Sequence, residues 1–178
     1  MINDSFMGTM EIRHSLIEGY GVFAAHSIGK GDTVLKIDDS RIVDEQHPLG
    51  SADDPRHCDY LEAGKVVLMQ IPERHINRSC NRNTYVRTID GMRLVIALRE
   101  IAAGEEITYD YCINGNGDTV WDYHCGASRC RRVIHSDFFH LPLDLQREYL
   151  PLLDDWFRQE RAAEVERLAR GAEDSARL

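Results

Sequence analysis

The chain has 178 residues, 43% hydrophobic and 29% charged, which fits one soluble-type domain with a short appendage and a core that needs no disulfide or metal staples. Its formal net charge of −9 argues against nonspecific binding to nucleic-acid phosphates, which takes Lys and Arg to displace counterions. The same charge favours a cationic or neutral partner.

The N-terminal residues, Met1 to Met7, show neither a basic start nor a long apolar run, so no secretory leader is expected. No stretch approaches the roughly 18 apolar residues of a membrane helix, and no membrane partner is expected. Residues 11–40 read as short strands, with apolar runs Gly21–Ala25 and Asp32–Ile37 separated by a turn at Gly29–Asp32. Residues 44–57 are rich in Asp, Pro, His and Gly and read as an irregular loop. Val66–Ile71, bounded by Gly64 and Pro72, reads as a strand. Thr84–Ile89 and Met92–Leu98 flank Asp90-Gly91, a pair that supplies the positive φ angles of a type I′ turn, so a β-hairpin is predicted. Ala102-Ala103-Gly104 turns the chain into a strand over Ile107–Tyr111, and Asn114–Asp118 reads as a flexible loop. Beyond it, Leu145, Tyr149, Leu152 and Trp156 share a helical face. Pro151 forbids one continuous helix, so a short helix near 143–149 and a longer one from about 151 to 169 are predicted. This apolar stripe packs onto the domain or forms a homodimer contact. Gly171–Leu178 is expected to fray.

The motifs are individually weak. Gly19-Tyr20-Gly21 alone reads as a turn, and Asn77–Asn83 as a solvated polar loop. Tyr109 and Tyr111 stand two apart on a strand and so share a face, the usual position of core or interface tyrosines. There is no Gly-rich phosphate loop, no His-Glu-x-x-His metal site and no Gly-x-Ser-x-Gly nucleophile turn.

Their order is informative. Gly-x-Gly opens a β-rich region, followed by Arg74-His75-Ile76-Asn77-Arg78-Ser79-Cys80-Asn81-Arg82-Asn83. A hairpin leads to Gly104-Glu105-Glu106-Ile107-Thr108-Tyr109-Asp110-Tyr111, and then an aromatic and a Cys-Gly-x-x-x-Cys-Arg segment over Trp121–Arg131. Over about residues 11–132 this resembles the SET-domain family of protein-lysine methyltransferases. The family pattern is Gly-x-Gly, Arg-Phe-x-Asn-His-Ser-Cys-x-Pro-Asn, Glu-Glu-(Leu/Ile)-Thr-(Tyr/Phe)-Asp-Tyr, and a cysteine-rich post-SET tail. The resemblance implies a mainly β fold, a β-clip of small sheets with a pseudoknot where the Asn-x-Ser-Cys and Tyr-x-Tyr segments cross, plus C-terminal helices. It divides the chain into a SET domain (11–112), a post-SET-like segment (113–135) and a helical extension (136–178).

The resemblance further implies transfer of a methyl group from S-adenosylmethionine to a protein lysine entering a narrow channel. By that match Tyr111 orients the amine and the methyl, and Tyr109 holds the amine or a water, leaving room for mono- or dimethylation. Cofactor contacts fall on Tyr20, Gly21, Asn77, Arg78 and Tyr111, with Trp121 against the adenine and Tyr60 as a looser match. Three departures stand out: Arg78 replaces the family's His, Arg82 its Pro, and Tyr123 the first tail cysteine. Relatives hold structural zinc with three tail cysteines and the motif cysteine. This chain offers Cys80, Cys125 and Cys130, with His124 or His135 as a fourth ligand, against the alternative that the cysteines are merely buried. Its five cysteines cannot pair completely, and a reducing, cytoplasmic setting is expected. Two other functions remain open: action on a small-molecule amine, and a non-catalytic interaction module motivated by Arg78 and Arg82.

Overall fold

Asp90 and Gly91 take φ of 51° and 72°, as the type I′ turn requires, and set Ile89 opposite Met92. The hairpin they close is β7 (Thr84–Ile89) and β8 (Met92–Ala97). The computed structural model describes residues 8–175, with side chains through Gly171. Residues Met1–Met7 and 176–178, part of the segment expected to fray, lie outside the described residues.

The hairpin takes β3 (Thr33–Lys36) on the β8 side, giving a three-stranded sheet. A second sheet has the order β1 (Met10–His14), β2 (Tyr20–Ala24), β9 (Glu106–Tyr109), β6 (Asn77–Arg78). Two small pairs complete the β structure: β4 (Cys58–Tyr60) with β5 (Val66–Leu68), and β10 (Val120–Asp122) with β11 (Val133–His135). This is the mainly β architecture of small sheets that the sequence predicts. The β10–β11 pair was not foreseen, because three-residue strands carry almost no periodicity.

Two cores hold these pieces. Val22, Ala24, Leu35, Ile76, Val95, Ala97, Ile101 and Ile107 form the first. Cys112, Ile134, Phe138, Tyr149, Leu153 and Phe157 form the second, with Trp121, Tyr123 and Cys80 packed on it. Residues 109–111 run from one core to the other, between Ile107 and Cys112.

The C-terminal helices differ from prediction. α1 (Leu143–Tyr149) is where it was expected, but the single helix expected over 151–169 is a 3-10 turn at Leu150–Leu152, then α2 (Asp155–Glu160) and α3 (Ala162–Ser175). Asp154 stops the first run: its carboxylate caps the Asp155 N–H and also accepts from the N–H and hydroxyl of Thr88. Arg161 breaks the second, its side chain reaching Glu164 and Asp137. α3 stays helical past Gly171. The stripe of Leu145, Tyr149, Leu152 and Trp156 packs onto the second core of its own chain. Asn114–Asp118 is held rather than loose: Asn114 Oδ1 accepts from Asp154 N at 2.7 Å. A Cβ on Gly115 would meet Ser136 O at 1.9 Å, so only glycine fits there.

Candidate active site

The site begins where β6 lies parallel to β9, with Asn77 opposite Thr108 and Arg78 opposite Tyr109. Past β6 the chain stays tied to β9: Ser79 N donates to Tyr109 O at 3.1 Å and Asn83 N to Thr108 O at 3.2 Å. Asn83 is the clamp. Its buried amide donates to Glu105 Oε1 and Glu106 O and accepts from Thr108 N, at 2.9, 2.8 and 2.8 Å. The two motifs, far apart in sequence, thus share one backbone ladder.

This ladder sets the tyrosines. β9 ends at Tyr109, short of the predicted Tyr111, yet the turn that follows brings the Tyr111 ring to 5.0 Å from that of Tyr109, centroid to centroid. Tyr111 leaves 41% of its surface open, but its hydroxyl turns inward and donates to Ile76 O at 2.8 Å. The Tyr109 hydroxyl lies 4.0 Å from Met69 Sδ. Burial pushes both hydroxyls upward, so each stays a neutral donor and acceptor across the biological pH range.

Asn77 organises the neighbouring side. Its amide nitrogen lies within hydrogen-bonding distance of Glu18 O, Tyr20 O and Glu106 Oε1, at 3.0, 3.1 and 2.8 Å. Its Oδ1 has no protein donor among the described residues. The Glu106 carboxylate also accepts from the Ser15 hydroxyl and lies over Gly21, where a Cβ would come within 2.3 Å of Oε1. A side chain at position 21 would therefore displace the Glu106 carboxylate from Asn77 and Ser15. Tyr20 is half exposed, stacked on His14 and edge-on to His75. Tyr20, Gly21, Asn77 and Tyr111 are thereby brought together. Tyr60 ends β4, mostly exposed and paired with Val66. Trp121 packs on the second core beside Cys80 and Tyr123.

Beneath the tyrosines lies a buried ion network. Asp110, 1% exposed, accepts from Arg78 Nη2 (3.0 Å), Arg131 Nη2 (2.8 and 2.7 Å), Tyr149 Oη (3.0 Å) and Cys112 N (3.2 Å). Burial alone would raise its carboxyl, but Arg78 and then Arg131 hold it below the usual carboxylate range. The Arg78 side chain points into this network. Its guanidinium stands 4.6 Å over the Tyr123 ring, and the Tyr123 hydroxyl donates to Arg78 O. Arg82 stands 3.9 Å over the Tyr149 ring and pairs with Glu148 at 2.7 Å. The three substituted positions, 78, 82 and 123, are thus mutually accommodated, with α1 supplying the counterparts.

A family model described as SET domain matches residues 19–112. The chain belongs to the SET-domain family. Among curated relatives, histone-lysine N-methyltransferase TRX1 of Oryza sativa subsp. japonica is 30% identical over 151 residues, covering 74% of this chain and 14% of that protein. Histone-lysine N-methyltransferase 2B of Homo sapiens is 28% identical over 137 residues, covering 70% of this chain and 5% of that protein. The chain therefore spans less than a fifth of the length of these relatives. A crystal structure of KRYPTONITE in complex with mCHG DNA and SAH superposes with TM-score 0.52 at 21% identity, over 70% of this chain and 28% of that one. That likeness speaks for the SET fold.

SET-domain relatives direct attention to the cysteines. Cys80, Cys125 and Cys130 place their Sγ atoms within 4.8 Å of one another, a spacing that suits three corners of a tetrahedral zinc site. Neither histidine joins them: His124 lies 3.3 Å from Arg132 Nη1 and His135 stacks on His140. The three thiols fit zinc as three ligands, and no fourth His, Cys, Asp or Glu joins them among the described residues.

Several site residues had no role assigned from sequence. Glu106, Asn83 and Asp110 sit inside the quoted motifs, yet only the fold reveals what they clamp. Arg93 carried a usable signal. It shares a strand face with Val95 and Ala97, both core residues, and a charge on a core face demands buried counter-ions. Its partners are Asp39, Asp59 and Glu73.

Proposed function

We propose that this chain is an S-adenosylmethionine-dependent N-methyltransferase that acts on a protein lysine and adds one or two methyl groups. The observation that carries the reading is the adjacent rings of Tyr109 and Tyr111 at the β6–β9 pairing, with the Tyr111 hydroxyl anchored on the carbonyl next to Asn77. S-adenosylmethionine, when bound, supplies a methyl group on a positively charged sulfur. The chain's own task is to align an acceptor nitrogen with that methyl, exclude water and receive the nitrogen unprotonated. Tyr20, Gly21 and Asn77 form the cofactor side. Asn77 Oδ1 offers an acceptor for an ammonium, as its amide nitrogen is already engaged. Tyr60, the Arg78 backbone and Trp121 extend that side. The Arg78 side chain does not, being committed to Asp110.

Tyr111 orients the amine, and Tyr109 narrows the space around it. Residues 113–135 act as the post-SET-like segment and 136–178 as a helical buttress for residues 11–112. Five free cysteines suit a reducing, cytoplasmic setting, and no helix among the described residues is long and apolar enough to cross a membrane. The names of the curated relatives, and the SAH in the KRYPTONITE structure, support this reading. The test is Tyr111→Phe: methyl transfer to basic protein pools is lost while calorimetric binding of S-adenosylmethionine persists. Unchanged turnover in that variant, or no binding of S-adenosylmethionine to the native protein, refutes the reading.

A further inference from the structure

Arg93 is 7% exposed and faces three carboxylates: Asp59 Oδ2 at 2.5 Å, Glu73 Oε1 at 3.2 Å and Asp39 Oδ2 at 3.2 Å. One cation does not balance three anions. Two oxygens of the cluster, Glu73 Oε2 and Asp39 Oδ1, are buried with no hydrogen-bond partner. Glu73 is only 3% exposed, so without a ligand its free oxygen is shielded from bulk solvent, a costly state for a carboxylate. Burial pushes its carboxyl up to about 8 against the pull of Arg93, and Asp59 and Asp39 add to the rise.

The cluster adjoins the tyrosine pair. Ile76 N donates to Glu73 O at 2.8 Å, and the carbonyl of that same Ile76 takes the Tyr111 hydroxyl. Tyr109 feels Tyr111, Glu73, Asp59 and Arg93, and Tyr111 feels Asp59 and Glu73. The turn Glu73–His75 that carries the orphaned carboxylate thus leads directly into Ile76, whose carbonyl anchors Tyr111. A lysine acceptor arrives as an ammonium, its free pKa being about 10.4, and must lose a proton first.

We propose that Glu73, set in the Asp39–Asp59–Arg93 cluster, receives the primary ammonium of the methyl acceptor beside Tyr109 and takes its proton. This rests on the methyltransferase reading. The step is balanced: an ammonium N–H bond breaks, its electron pair stays on nitrogen, and the proton forms the O–H of Glu73. The neutral amine then has the lone pair that displacement at the methyl requires. Asp59 keeps Arg93 paired while Glu73 changes charge. The ligand class is a primary alkylammonium, whether carried by a protein or by a small molecule.

Two measurements test it. In turnover, native kcat/KM rises with pH through the region near 8 as Glu73 ionises. Glu73→Gln loses that limb and about 10²–10⁴-fold of rate, the usual range for general base catalysis, with Glu73→Asp recovering part of it. Without turnover, n-butylammonium titrated calorimetrically into protein saturated with SAH binds at least about tenfold more weakly to Glu73→Gln. S-adenosylmethionine affinity equal to native shows that the variant is folded. A native pH limb and rate in Glu73→Gln, or equal or absent n-butylammonium binding in both proteins, overturns the proposal. Should Tyr111→Phe abolish transfer while Glu73→Gln behaves as native, the proton acceptor is wrong and the methyltransferase reading stands.

Discussion

Asp110→Asn is the most exacting test of how the site is built. The native carboxylate is 1% exposed and compensates two guanidinium groups, of Arg78 and Arg131, while accepting from Tyr149 and Cys112. Asparagine keeps the shape and loses the charge. One amide face then meets donors with a donor, and two largely buried cations lose the carboxylate they pair with. Breaking a buried pair on one side costs about 3–5 kcal/mol. At about 2–4 °C per kcal/mol for a chain of this size, melting falls by about 6–20 °C. Tyr149→Phe, which removes one hydrogen bond to the same charge, costs about 1.5–3 kcal/mol. Urea unfolding at pH 7 measures both. The pH dependence has a definite sign. Asp110 is held below its unfolded value of about 3.9, so its contribution is complete above that pH and is lost as pH falls through the folded value. The gap between native and Asp110→Asn should therefore be flat from pH 5 to 7 and shrink below about pH 4. A loss under about 1 kcal/mol at pH 7, or a gap that ignores acid, would refute the claim that this carboxylate holds the segment together.

Other outcomes follow from the same geometry. Asn83→Ala leaves Thr108 N–H and Glu106 O without their side-chain partner and should cost about 2–4 kcal/mol in urea unfolding; a cost under about 0.5 kcal/mol would show that it is no clamp. Tyr109→Phe widens the acceptor space, so intact-mass analysis of the modified protein should show one more methyl than the native enzyme adds. An unchanged methyl count removes Tyr109 from control of the product. Protein purified without chelator should carry near one zinc per chain and melt lower after chelation. Fewer than about 0.2 zinc per chain would leave Cys80, Cys125 and Cys130 as packing residues.

The legible parts of the sequence were those set by local chemistry or by an uninterrupted motif. Asp90-Gly91 fixed a hairpin to the residue, because only a few sequences tolerate two consecutive positive φ angles. Tyr109 and Tyr111 do come together, but the strand expected to run through Tyr111 ends at Tyr109, so strand period alone does not set the pair. What could not be read was settled by distant partners. Pro151 ended a helix as expected, but the second break at Arg161 depends on Asp137 and the first restart on Thr88, contacts that no local pattern announces. Arg78 looked like a damaged motif until Tyr123, Asp110 and Arg131 surrounded it. Glu73 and Asp59 lay in stretches to which the sequence pattern assigned no element. Arg93, a charge on an apolar strand face, was the one visible sign that they had to exist.

Asp110 also has a history in time. Arg78 precedes it, Arg131 follows 21 residues later and Tyr149 follows 39 residues later. Translation at about 5–20 residues per second leaves roughly 2–8 s between the synthesis of Asp110 and that of its last partner. During that interval the nascent chain has both motifs but not the full set of bonds that hold them in register. Tyr149 is therefore a late latch on Asp110, set only after the first helix of the extension has left the ribosome.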